Sequence, residues 1–230
     1  MNHEKSRYGA LQIAALYDCR VPYLIDFFAR ATYPWQLLSQ IHTQIAKLHA
    51  EGIPGYRMLR EGVLCGEGVQ IAPTAVIEGS AVLGAGTVLR PGAYLRGNVI
   101  TGADCVIGNS SELKNCILLD RVQLPHYNYV GDSVIGKHAH MGAGAVCSNL
   151  KADGRDVVIH ASDGDIETAL RKAGAFLGDF AEIGCGCVLN PGTVVGKNTS
   201  VYPLVALRGV IAPDCIVKAA GVCVAREKFD

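Results

Sequence analysis

The chain has 230 residues, half of them hydrophobic and 18% charged, with 21 basic and 21 acidic side chains. That length suits one large domain, or a domain with an appendage, and the composition allows a substantial core. A net charge of zero, with no lysine or arginine run, argues against nucleic acid or an anionic membrane as the main partner.

In chain order, the polar start from Met1 to Gly9 is not followed by a signal-peptide core. No apolar run reaches the roughly 18–20 residues that a membrane span needs, so a cytoplasmic protein is expected. Residues 1–60 read as helical. Leu11, Ile13, Ala14, Leu16 and Tyr17 suggest one short apolar face; Tyr23, Leu24, Asp26, Phe27 and Phe28 suggest another. Pro22 and Pro34 can each open a helix at its first turn. Trp35, Leu37, Leu38, Ile41, Ile45 and Leu48 predict the clearest amphipathic helix, which the Gly52–Gly55 stretch breaks. This segment is expected to be a cap and linker over one end of the next domain, or else a subunit contact.

From Ile71 the period changes to six. Aliphatics recur at Ile71, Ile77, Leu83, Leu89, Leu95, Ile107, Leu113 and Leu119, with only Thr101 out of type. Two residues before each lies a second inward position, mostly small: Val69, Ala75, Ala81, Thr87, Ala93, Val99, Cys105, Ser111 and Ile117. The ladder resumes at Ile135, Met141 and Cys147, then from Leu177 through Ile183, Leu189, Val195 and Val201 to Leu207. A six-residue period fits neither a helix nor a long strand. It predicts a mainly β solenoid over 61–230, in which three hexads close one triangular coil. Leu150 to Lys172 interrupts the ladder as an insertion; Val157 to Ile159 could form a strand there, and Ser162 to Arg171 a short turn or helix. An excursion of that length usually carries function.

Nine cysteines without a CxxC pair, several where the ladder wants a small buried residue, read as core packing. Only Cys185-Gly186-Cys187 is close enough to suggest a metal, and it lacks a second pair.

Two features stand out as sites. Glu78, Arg96 and Lys114 are one coil apart and should stack, as a solvated charge ladder or as an anion site. His126 follows Pro125 where an aliphatic residue is due, and an imidazole suits proton transfer at neutral pH, although a lone histidine is more often structural. Tyr129 follows three residues later, and Asn149 should rise near His126 about one coil on. Gly142-Ala143-Gly144 leaves bare backbone along which a long ligand could lie.

Hexads of this kind resemble the left-handed parallel β-helix of the hexapeptide-repeat transferases; the handedness comes from that resemblance. The hexapeptide carbonic anhydrases share the scaffold and bind zinc through histidines, but His138-Ala139-His140 has the wrong spacing and His126 stands apart, so no metal is expected. Arg90-Pro91-Gly92-Ala93, Glu112-Leu113-Lys114-Asn115, Pro125 to Asp132, Gly142 to Gly144, Ser148-Asn149, Leu170 to Asp179 and Asn190 to Thr193 carry a closer likeness. They resemble the acetyltransferase half of the bifunctional glucosamine-1-phosphate acetyltransferase / N-acetylglucosamine-1-phosphate uridylyltransferases and of the related archaeal sugar-1-phosphate nucleotidylyltransferases. The resemblance implies a homotrimer that transfers acetyl from acetyl-CoA to the amine of an amino-sugar phosphate. His126 would be the base and Asn149 would orient the sugar or amine. Arg90, Lys114, Tyr129 and His140 would hold the substrate, and Gly142, Ala143, Gly144, Ala145 and Arg155 would face the coenzyme. The sequence departs from the pattern in three ways. Helical residues stand where the nucleotidyltransferase domain would be, so no pyrophosphorylase activity is expected. Leu150 replaces the tyrosine after the asparagine, and the basic loop positions are matched only by Arg155.

Overall fold

The computed structural model describes residues 8–226; the first seven and last four residues of the two expected regions lie outside the described residues. Four short helices come first: α1 (Ile13–Leu16), α2 (Ile25–Ala29), α3 (Trp35–Leu38) and α4 (Ile41–Glu51). The single helix expected through Trp35 and Leu48 is divided at Ser39 and Gln40. Pro34 immediately precedes α3, and Gly52 ends α4 in the left-handed region at φ 72°.

Beyond Tyr56 the chain winds into a parallel β-helix of triangular section. On the first face Val76, Tyr94, Glu112, Tyr129, Val146, Val188 and Ala206 stack coil over coil. On the second face the stack is Leu64, Val82, Ile100, Ile117, Val134, Phe176 and Val194. On the third it is Gln70, Val88, Val106, Gln123, His140, Glu182, Ser200 and Ile216. Inside run the aliphatic ladder and its small companions, Cys65, Cys105, Cys116, Cys147, Cys187 and Cys215 among them. Burial pushes the Cys105 and Cys147 thiols up to about 12, which keeps them as inert packing atoms.

The regular ladder needs correcting at two successive coils. Pairing shifts between Arg96 and Val99, so that Arg96 faces Lys114 but Val99 faces Cys116. That coil is one residue short, and so is the next: Glu112 pairs with Tyr129 and Tyr129 with Val146, 17 residues on each time. Cys116 and Leu118 therefore point inward, while Ile117 and Leu119 turn out against the helices. The next inward residue, on the third face, is Leu124, and His126 is displaced to an exposed corner rather than filling an aliphatic place.

The helices lie along the second face, not over an end. Trp35 stacks on Tyr33 at 4.6 Å and meets Phe176 edge-on at 5.8 Å; the Tyr17 hydroxyl donates to Val134 O, and Asp18 N–H donates to Asp179 Oδ2 at 2.7 Å. One apolar cluster runs from Leu16 and Trp35 through every outward residue of that face, from Leu64 to Val194. Burying each such side chain is worth about 1.5–3 kcal/mol, more than any surface ion pair nearby.

The insertion is an antiparallel hairpin, Val158–Ala161 with Gly164–Glu167, turning at Ser162 and Asp163. No helix forms there. Among the described residues no helix is long and apolar enough to cross a membrane.

Candidate active site at a coil corner

The candidate residues divide between the two ends of one short strand, Tyr129–Gly131. At its start is the corner where the third face meets the first. Backbone bonds run up this corner from coil to coil: Tyr127 N–H to Asn109 O, Gly144 N–H to His126 O, Gly186 N–H to Ala143 O, Leu204 N–H to Cys185 O. The His126 ring is exposed and makes no hydrogen bond among the described residues. Above it Ala143–Gly144 and Cys185–Gly186 leave low-lying backbone. Tyr127 and Leu204 project at either end of this stretch, 63% and 83% exposed, both at positive φ (52° and 63°). Positive φ recurs at the coil turns, as at Arg121, His138 and Phe180, so here it reflects turn geometry.

The turn above His126 is held by Asn128, a residue that fills a small inward position of the ladder and is 2% exposed. Its amide donates to Gly142 O at 2.8 Å and Ala145 O at 3.2 Å, and its Oδ1 accepts His126 N–H at 3.2 Å. A buried amide so thoroughly bonded fixes the relative height of two coils. Gly142, Gly144 and Ala145 N–H groups are all spent on backbone carbonyls; Ala143 N–H, on the coil above His126, has no such partner among the described residues.

At the other end of the strand sits a closed polar knot. Asp132, 5% exposed, accepts from Lys114 Nζ at 2.7 Å, Asn115 Nδ2 at 3.0 Å and Asn149 Nδ2 at 2.5 Å. Tyr129 folds over Gly131 beside Asn149: a Cβ on Gly131 would fall 2.5 Å from the Tyr129 hydroxyl and 2.7 Å from Asn149 Nδ2. Burial raises the Tyr129 phenol, which stays protonated at neutral pH. Arg96 is paired with Glu112 at 2.6 Å, which raises the guanidinium further.

The expected site residues are thus only partly gathered. Lys114, Tyr129 and Asn149 come together around Asp132. Asn149 does not rise near His126, because Val130 pairs with Cys147 and sets Asn149 beside Asp132, on the order of 10–15 Å along the strand at about 3.3 Å per residue. Arg90 shares the His126 corner two coils below, with an exposed side chain. His140 lies on the third face, 3.0 Å from Glu182, in an open hollow of about 610 Å³ with Arg121 and His138. Arg155 is exposed on the insertion, which leaves the coil after Asn149, one strand beyond the Gly142–Ala145 turn. Glu78, Arg96 and Lys114 do stack, but the upper two cations are already matched to Glu112 and Asp132. Asn128 and Asp132 were not singled out from sequence. A polar residue at a small inward place of the hexad marks Asn128, and an Asp at a positive-φ corner (45°) marks Asp132. Among the described residues no three metal-ligating side chains converge.

A coil of hexads interrupted by a hairpin, with a histidine exposed at one corner, defines a hexapeptide-repeat acyltransferase scaffold. Residues 84–163 match the GMPPB C-terminal domain family. The chain is 31% identical over 205 residues to the uncharacterized acetyltransferase YaiX of Escherichia coli O6:K15:H31 (strain 536 / UPEC), covering 80% of this chain and 89% of that one. It therefore belongs to the hexapeptide-repeat acetyltransferase family. It is also 32% identical over 188 residues to the bifunctional protein GlmU of Methanococcus aeolicus, covering 80% of this chain and 45% of that protein. With the bifunctional sugar-1-phosphate nucleotidylyltransferase/acetyltransferase of Sulfurisphaera tokodaii it shares 35% identity over 97 residues, 42% and 24% of the two chains. The chain thus spans less than half the length of these bifunctional relatives.

Proposed function

We propose that the protein transfers an acetyl group from acetyl-CoA to the amine of an amino-sugar phosphate, with His126 as the base. The observation that carries this reading is the exposed His126 imidazole, without a hydrogen-bond partner among the described residues, beneath the bare Ala143–Gly144 and Cys185–Gly186 backbone. The coenzyme's extended arm would lie in that trough between Tyr127 and Leu204, three coil steps apart, or about 14 Å at roughly 4.8 Å per step. Its thioester carbonyl would accept from Ala143 N–H, one coil above the base. The acceptor amine is nucleophilic only when neutral. As its nitrogen bonds to the carbonyl carbon, its proton passes to His126, and the tetrahedral oxyanion is held by the Ala143 N–H. Collapse breaks the C–S bond, and the imidazolium returns the proton to the departing thiolate.

Arg90, on the same corner and without an ion pair among the described residues, is the cation placed to meet the acceptor's phosphate. Lys114 and Asn149, turned to Asp132, would act on a substrate only indirectly. His140 and Arg155 would reach it only from a second copy, whose face would supply the missing wall of the trough; a homotrimer provides one. A second reading has its own support: the neutralised Lys114 and the Leu150 substitution favour a hexapeptide acyltransferase with another acceptor.

Thiol release from acetyl-CoA, measured with glucosamine-1-phosphate and galactosamine-1-phosphate, tests both. Release by the wild type and none by a folded His126→Ala supports the first reading. Equal release by the two proteins removes His126 as base. Coenzyme binding without release on either sugar transfers support to another acceptor.

A further inference from the structure

Cations along this coil are mostly neutralised where they stand: Arg96 by Glu112, Lys114 by Asp132, Arg121 by Asp104, Lys151 by Asp153, Lys197 by Asp179. Arg208 is held in another way. It tops the column Lys114, Gly131, Ser148, Asn190, since Leu189 pairs with Leu207. Its Nη2 lies 2.8 Å from His160 Nε2 on the hairpin, and among the described residues no carboxylate is within ion-pair distance of it. A guanidinium has no acceptor atom, so His160 Nε2 must accept. The imidazole is then neutral, with its proton on Nδ1, where Asp165 Oδ1 stands 2.9 Å away. Asp165 orients His160 and His160 orients Arg208, while the guanidinium keeps its charge.

This guanidinium borders a cavity of about 480 Å³ with Ser148, Lys151, Asp153, Asn190 and His160, walled on one side by Leu150. The pocket is built, not left over from a loose loop. Gly209, at φ 75°, comes so close beneath the hairpin that a Cβ would fall 2.7 Å from His160 O, and one at Gly192 would fall 2.9 Å from Val157 Cγ1. Two backbone approaches of that kind seat the hairpin on the coil and fix the height of His160 above Arg208.

We propose that this pocket binds a phosphoryl group, as a monoester or a diphosphate, at a site separate from the His126 corner. An arginine oriented by a neutral partner presents free N–H donors in the fork that phosphate oxygens accept; Lys151 is paired with Asp153 at 3.4 Å and would add a second cation by exchanging that carboxylate for the ligand. Arg208 is three coils above His126 and across the first face, on the order of 20 Å away. A sugar monophosphate with its amine at His126 cannot also place its phosphate on the same chain's Arg208. The phosphoryl group would come from the coenzyme or from a nucleoside diphosphate, and the site needs no acetyl transfer to exist.

Calorimetric titration of the full chain with inorganic pyrophosphate tests this. The wild type should bind one equivalent per chain, more weakly as salt rises. Arg208→Gln should lose at least tenfold, and Lys151→Gln several-fold. Arg121→Gln, on a different corner, should bind as the wild type. Absence of binding by the wild type overturns the proposal, as does unchanged binding by both pocket variants when their melting is unaltered. Displacement of pyrophosphate by uridine diphosphate alone identifies a nucleotide site. Displacement by coenzyme A but not dephospho-coenzyme A identifies the coenzyme's 3′-phosphate.

Discussion

The two ends of the Tyr129–Gly131 strand use polar residues in opposite ways. At the His126 end the imidazole is exposed and unbonded, and the surrounding backbone is held from below by Asn128. At the Asp132 end every polar group is engaged: one carboxylate receives Lys114, Asn115 and Asn149. An imidazole with an open nitrogen can meet an incoming proton donor, whereas a saturated network resists exchange with a ligand. The contrast separates the residues that would act from those that set the coil's geometry, although both sets come from one motif.

Substitutions can break this distinction. His126→Ala should slow acetyl transfer by about 10²–10⁴-fold, the usual share of a general base. Its stability should stay within about 0.5 kcal/mol of wild type, because the ring is exposed and unbonded. A melting temperature that falls with activity would place His126 on the structural side. Asp132→Ala should do the reverse. It strands Lys114, 19% exposed, without its counter-charge, for a loss of about 3 kcal/mol, the lower end for a broken buried pair. Chemical denaturation reads this, and a loss below about 1 kcal/mol would show the knot to be loosely held. Gly131→Ala should cost about 1–3 kcal/mol by overpacking against Tyr129 and Asn149, with the His126 corner undisturbed.

The smallest effect is electrostatic and lies between the helices and the coil. Hydrogen bonds from Lys137 and Arg20 hold the Asp18 carboxyl at about 2, below its ordinary 3.8. A depressed folded value adds stability above the unfolded value, and that part is lost as pH falls from about 4 through 2. Trp35, the single tryptophan, is stacked on Tyr33 and meets Phe176 edge-on, and it reports on this contact. Its fluorescence should begin to change in that window, and Lys137→Gln should move the onset to higher pH. An onset unaffected by the substitution would assign the acid transition elsewhere.

The period of six was legible because inward positions repeat without regard to what covers the outside. The register error at Leu119 has a physical origin. Cys116, Ile117, Leu118 and Leu119 are all buried, Cys116 and Leu118 inside the coil and the others beneath the helices. Where a strand is covered on both sides the alternation that reveals direction disappears. The same triplets held an unused signal: Ala81-Val82-Leu83, Val99-Ile100-Thr101 and Ala175-Phe176-Leu177 each carry an apolar middle residue, on one face in three. That pattern marks the covered face. The site was legible as a motif but not as a place, since the separation of His126 from Asn149 depends on coil register, which residue types alone do not reveal.

A stack of coils in which each touches only its neighbours is a nearly one-dimensional object, liable to fray from its ends one rung at a time. Here the helices cover the lower and middle rungs of the second face, with Trp35 on Phe176, and the insertion's Val157 and Ile159 continue the same apolar cluster to Val194, so an inner rung cannot leave without disturbing a cover it shares with its neighbours. Unfolding should therefore be a single concerted event, and the helices between Ile13 and Glu51, with the hairpin, become the keepers of its cooperativity.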